Sequence, residues 1–230
     1  MFVVSESWTA TYPTALVAAL VVRGVTNVRE HPALEQRKRD LEAELSARFR
    51  SQEDIRSSTE IRTYTTYYKR FDKTYHLTQQ LATVALRHKP LPTVSALVDV
   101  MFIAELSNLL LTAGHDLSAV VPPVTLDVAT GNESYIRPNG EPQLTKAGDM
   151  MVADREGILS SIIHGPDRRS RIALETRDAL YVVYAPEGIE RERVRKHLRD
   201  IRDAILLTSP TALFEPARML SARGVEEGLL

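Results

Sequence analysis

Four short stretches of this 230-residue chain carry residue types able to do chemistry, and none is a complete motif by itself. Gly114-His115-Asp116-Leu117 sets an imidazole beside a carboxylate where an apolar helix gives way to a strand-rich region. Glycine at a helix end followed by Asp makes a sharp turn, which serves either as plain structure or as the wall of a pocket. Gly131-Asn132-Glu133 is a tight turn that places a glutamate at the start of the next strand. His164-Gly165-Pro166-Asp167-Arg168-Arg169-Ser170 is a turn whose amides and arginines suit phosphate or carboxylate, or simply a solvated loop. In Leu97-Val98-Asp99 a carboxylate is embedded in an apolar helix. Burying an unpaired charge is costly, so Asp99 needs a partner or a role at the helix terminus.

The familiar signatures are absent. There is no glycine-rich phosphate loop, no His-Glu-Xaa-Xaa-His, no Gly-Xaa-Ser-Xaa-Gly and no EF-hand loop. The chain has no cysteine, which excludes disulfides and thiolate metal sites. Its six histidines are scattered, none pairing with another at helical spacing, so the expectation is a protein with no metal site and no cofactor. The start of the chain has no basic n-region, and the apolar run at 15–22 is too short to span a bilayer, so a cytoplasmic protein that avoids membranes is expected.

The formal net charge of −1 argues against a dedicated nucleic-acid binder, which normally carries a basic excess. The distribution is less even. Residues 62–89 hold six Lys/Arg against one acid, whereas 91–153 hold two, Arg137 and Lys146, against seven acids. The basic segment interleaves Arg62, Lys69, Arg70 and Lys73 with Tyr64, Tyr67, Tyr68 and Tyr75. Cations and stacking rings together suit unpaired RNA bases, while the alternative is tyrosines in the core and cations in water.

The elements that must position these residues follow from pattern. The length and valines of residues 15–22 and the glycine that closes the run fit a buried strand, with a short helix the alternative that periodicity leaves open. His31-Pro32 opens a helix to about Arg56, with Leu34, Leu41, Leu45 and Phe49 on one face. Residues 63–75 read as irregular, 76–88 as a helix, and 94–111 as a strongly apolar, central helix. Short runs punctuated by Gly, Asn and Pro make 120–184 mostly strands. A last helix covers 190–207, and the tail after Pro210 is expected to pack loosely or pair with another chain. The order predicts an α+β protein, with residues 1–210 as one domain and 211–230 as a C-terminal tail.

The chemical stretches also occur in a fixed order. Leu97-Val98-Asp99 is followed at a set spacing by Asp116-Leu117, then by Leu126-Asp127-Val128-Ala129-Thr130-Gly131-Asn132-Glu133. Ala147-Gly148-Asp149-Met150-Met151-Val152-Ala153-Asp154 comes next, and then Ser170 to Arg177, ending Thr176-Arg177. This order resembles free-standing proteins of the B3/B4 domain type, the module that edits mischarged tRNA in the phenylalanyl-tRNA synthetase β subunit. Departures are Ser95-Ala96 where Asn-Pro is usual, Phe102 and Glu105 at polar positions, and Asp127 in place of an arginine. The resemblance implies a β-sandwich-like core with flanking helices and a metal-free pocket. By position, catalytic His115, Glu133 and His164 would line it, with Asp116, Asn132, Gly165 and Asp167 holding an amino-acid-like ligand. A histidine would serve as base, and turn amides would serve a developing oxyanion. The implied function is a trans-acting aminoacyl-tRNA deacylase, or else an inactive small-ligand or RNA-binding module. A tRNA acceptor end would meet Arg62, Lys69, Arg70, Lys73, Arg168 and Arg169.

Overall fold

The computed structural model describes residues 2–228. Strand β1 (Phe2–Val4) leads through α1 (Glu6–Thr11) into β2 (Leu16–Arg23). Six consecutive positions of β2 are buried, so both of its faces are covered, as its unbroken apolar run requires. Next comes α2 (Pro32–Arg48), with His31 as N-cap and proline in the first turn. The expected helix does not continue to Arg56. Phe49 is extended, and Ser51 opens a new helix, α3 (Gln52–Ser57), through a reciprocal capping box with Asp54.

The segment read as irregular is largely a helix, α4 (Thr59–Lys69). Threonine and tyrosine are mediocre helix formers. Packing outweighs that here, because Ile61, Tyr64, Tyr67 and Tyr68 recur at helical spacing and are all buried. Helix α5 (His76–Leu81) runs on through a π-type turn at 82–86, and α6 (Ala96–Asn108) is the central apolar helix. It ends earlier than its composition suggests. Leu109 takes a left-handed conformation (φ 61°) and reverses the chain into β3 (Leu111–Asp116). Gly114 therefore lies inside a strand and caps no helix. A Cβ there would lie 2.8 Å from Ile172 Cδ1, so its lack of a side chain admits that neighbour.

The strand-rich half comprises β4 (Val124–Val128), β5 (Ser134–Ile136), β6 (Pro142–Leu144), β7 (Met150–Asp154), β8 (Gly157–Ser161), β9 (Gly165–Pro166) and β10 (Ala179–Ala185). After α7 (Arg191–Thr208) come β11 (Leu213–Phe214), β12 (Arg218–Ser221) and β13 (Gly224–Glu227). The sheets are β1-β4-β7-β8-β9, with β1 parallel to β4, and β13-β12-β2-β10-β3, with β11 also on β2; β5 and β6 form a separate hairpin. The segment after Pro210 is thus no loose tail. There β11 and β12 pair with β2 and β13 with β12, and Met219 and Leu220 are buried in the same apolar cluster as Trp8, Leu126, Tyr184 and Ile201. The result is a mixed α+β fold in which α6 and β3 stand side by side, joined by the tight reversal at Leu109.

Candidate functional site

Helix α6 presents Val98, Met101, Phe102 and Glu105, one stripe at i, i+3, i+4 and i+7, to a cavity of about 620 Å³. Its other walls are Thr112 and Gly114 of β3, the turn Ile162 to Pro166, Lys73 to His76 before α5, and Arg137 in the β5–β6 turn. Most of the wall is apolar. Polar groups enter at two levels.

At the bottom lies Glu105, 4% exposed. Its Oε1 accepts the Thr112 backbone N–H at 2.7 Å, and among the described residues no cation reaches it. Burial pushes its carboxyl up to about 8, so near neutral pH it is mostly protonated and can donate a hydrogen bond. At the mouth stand Lys73, Arg137 and Arg171, none of them in an ion pair among the described residues. The field of Lys73 and Arg137 is felt at His164, half-buried in the same wall. Burial, then Lys73, Arg137 and Lys146, push its imidazole down to about 4. His164 is neutral at pH 7. Its Nε2 lies 3.4 Å from Gln143 Nε2. His76, on the opposite wall, is also lowered by burial.

Of the residues singled out from sequence, this cavity gathers His164, Gly165 and Lys73. The others lie elsewhere. His115 is fully buried, with Nδ1 2.7 Å from Ser170 Oγ and Nε2 3.2 Å from Ser160 Oγ. Burial pushes it down to about 3, and both ring nitrogens already have partners, so it is placed as a core histidine and not as a base facing a ligand. Asp167 is equally internal and accepts from the Ser170 N–H and hydroxyl. Glu133 accepts from the Thr130 and Gly131 N–H groups and from the hydroxyls of Thr130 and Thr145. Partial burial opposes its charge, but those bonds pull it down to about 2, and it acts as the clamp of its own turn, with Asn132 exposed at the tip. Asp116 is held by Ser118 and Thr176.

The proposed RNA-binding residues also separate. Arg169 is engaged with Asp154 at 2.8 Å, with Glu156 and Asp167 further out, and is placed as a structural residue. Arg168 is exposed in a shallow depression beside Asp116. Lys69 is exposed at the end of α4, and Arg62 and Arg70 line a second hollow. Tyr64, Tyr67, Tyr68 and Tyr75 are all buried, so none offers a face for a base to stack on.

Sequence reasoning missed Glu105, Arg137 and Arg171. The signal for Glu105 was present: a carboxylate in an apolar helical stripe raises the question already asked of Asp99. Asp99 has the expected partner, Lys38 Nζ at 2.7 Å, and its other oxygen accepts the Val94 N–H at 3.0 Å. Among the described residues no three His, Asp or Glu side chains gather in a metal-holding arrangement, and no helix is long and apolar enough to cross a membrane.

No family model and no curated protein sequence matches the chain. Among solved structures, the fold resembles an N-terminal fragment of the phenylalanyl-tRNA synthetase β subunit from Pyrococcus horikoshii, at a TM-score of 0.54 and 12% identity. The match covers 99% of this chain and 53% of that one, so this chain spans about half the length of the fragment. At such low identity the likeness is one of fold alone.

Proposed function

We propose that this chain is a B3/B4-like module that takes the aminoacylated 3′ end of a tRNA into the α6 cavity and hydrolyses the aminoacyl ester there. One observation carries the reading: Lys73, Arg137 and Arg171, cations without carboxylate partners among the described residues, ring the mouth of a mostly apolar cavity whose floor is a buried carboxyl. Phosphates suit the rim, and an aminoacyl group suits the interior. The same reading takes the two large sheets as the layers of a sandwich, and the protein as cytoplasmic and working without a metal.

The chemistry requires a base and a donor. Neutral His164 accepts a proton from water as its oxygen adds to the ester carbonyl, and protonated Glu105 donates to the developing oxyanion. Collapse expels the ribose oxygen, which takes the proton from His164 and leaves the free amino acid. Docked phosphates offset the rim cations and raise the imidazole pKa from its lowered value, which makes it a stronger base. The test is a panel of mischarged tRNAs assayed for release of amino acid. At least one should be deacylated, with the rate unaffected by EDTA and lost in His164→Ala. Binding without hydrolysis would leave the small-ligand or RNA-binding module, and deacylation of none with no binding would end both readings.

A further inference from the structure

Helix α4 turns one face away from the core. Thr59, Thr63, Thr66 and Arg70 fall on it, with Arg62 at its edge, and they line a hollow of about 410 Å³ distinct from the α6 cavity. Thr14 and Tyr12 stand on the opposite wall. Both arginines are exposed, and among the described residues neither pairs with a carboxylate; the one acid on the lining is Glu187, itself exposed.

Arg70 is held in a fixed position. Its guanidinium carbon lies 5.4 Å from the ring centres of Tyr12 and Tyr67 and 5.5 Å from that of Phe71. Those rings are anchored in turn. Tyr12 donates its hydroxyl to the Gly148 carbonyl, and Tyr67 donates to Asp149 Oδ1 at 2.7 Å. A planar fork of donors pre-organised on an aromatic platform loses little freedom on binding an oxyanion. Arg62 sits eight residues earlier, roughly 12 Å along the helix axis, with the threonine hydroxyls between the two. That spacing, bridged by two long side chains, suits two phosphates in succession better than one.

We propose that this hollow binds a pair of phosphoryl groups, held by Arg62 and Arg70 and by the threonine hydroxyls of α4. The pair is either a free diphosphate or two successive phosphodiesters of an RNA strand. The inference does not rest on hydrolysis in the α6 cavity.

Calorimetric titration at low salt, with inorganic pyrophosphate in one arm and a five-nucleotide RNA in the other, tests it. Wild type should bind pyrophosphate, and Arg62→Gln and Arg70→Gln should each weaken that binding about tenfold, as removal of a charge-assisted hydrogen bond does. Thr63→Val, which removes a hydroxyl and leaves charge and packing in place, should weaken it a few-fold. RNA binding that weakens in the same three variants identifies the strand as the source; a response confined to pyrophosphate identifies the free diphosphate. The inference is overturned if wild type binds neither probe, or if affinity is the same in wild type, Arg62→Gln, Arg70→Gln and Thr63→Val.

Discussion

Helix α6 carries two buried carboxylates less than two turns apart, and they are opposite in kind. Asp99, 1% exposed, sits at the first turn with Lys38 against one oxygen and a backbone N–H against the other. Glu105, 4% exposed, has one backbone N–H and no cation among the described residues, and burial drives its carboxyl up. The same division separates two histidines. His115 is closed between Ser160 and Ser170, while His164 faces a cavity ringed by cations. Burial alone therefore does not mark a functional group in this molecule. What distinguishes the two ends is whether neighbouring groups exhaust the side chain's hydrogen-bonding and charge requirements.

The largest expected effect lies at the saturated end. Asp99→Ala leaves buried Lys38 with partly exposed Glu35 as its one remaining carboxylate among the described residues, frees the Val94 N–H, and should cost about 3–4 kcal/mol of stability, read from urea unfolding. Glu105→Gln at pH 7 should cost about 1 kcal/mol or less, because the acid it replaces is already mostly neutral there. Equal losses from the two changes would erase the distinction between them.

The histidines sharpen the comparison with different readouts. His115→Ala should destabilise by about 2–4 kcal/mol, through the cavity it leaves and the loss of one partner each for Ser160 and Ser170, which keep Tyr184 and Asp167. His164→Ala should leave stability within about 1 kcal/mol of wild type and lower any deacylation rate by about 10²–10⁴. A stable His115→Ala protein that has lost activity would reverse the assignment.

The pH profile gives a smaller effect of definite sign. Glu105 has its folded-state pKa raised to about 8 and Asp149 has its raised to about 7, both by burial. For such carboxyls the folded form binds more protons, so their stabilising contribution fades as pH rises through the folded pKa. Buried His115 and His197, both pushed down to about 3, act oppositely and lose stability as pH falls below about 6.5. Above about pH 7.5, a unit beyond the ordinary imidazole value, the histidines are silent, His76 and His164 included. Stability should fall between about pH 7.5 and 9 by roughly 1 kcal/mol in wild type. In Glu105→Gln most of that fall should vanish, because Asp149, at about 7, is largely ionised before the range begins. A fall over that range as large in Glu105→Gln as in wild type would show that its carboxyl is not the one held protonated.

The smallest effect is at the rim. Lys73→Gln/Arg137→Gln should leave the melting temperature nearly unchanged. If single-stranded phosphates dock there, the slope of log affinity against log salt should decrease by about 0.7 for each phosphate no longer neutralised. An unchanged slope would remove the rim from the tRNA-binding surface.

Run length, residue type and periodicity together were enough for much of the fold. The run at 15–22 is β2, the apolar stripe of α6 is central, and Val194, Leu198, Ile201 and Ile205 of α7 are all buried. Misreadings fell where local preference and tertiary packing disagree. The threonines and tyrosines of α4 suggested irregular chain, yet Ile61, Tyr64 and Tyr68 already had helical spacing. No glycine marked the end of α6, because Leu109 takes the left-handed cap. Strands as short as β11 and β12 have too few residues to show alternation, and only their pairing with β2 identifies them.

For the site, the chain by itself determined that His164, Gly165 and Lys73 belong to segments able to meet an anion, and that a carboxylate inside an apolar helix demands explanation. Only the tertiary structure decided which polar groups were already satisfied. His115 meets Ser160 and Ser170 from 45 and 55 residues away, and Asp99 meets Lys38 across 61. Arg137, one of two bases in an acidic stretch, reaches the cavity mouth only because the β5–β6 hairpin folds over it. Local sequence governs backbone conformation through short-range sterics and periodicity, whereas the charge state and availability of a side chain depend on partners that the fold alone brings within hydrogen-bonding distance.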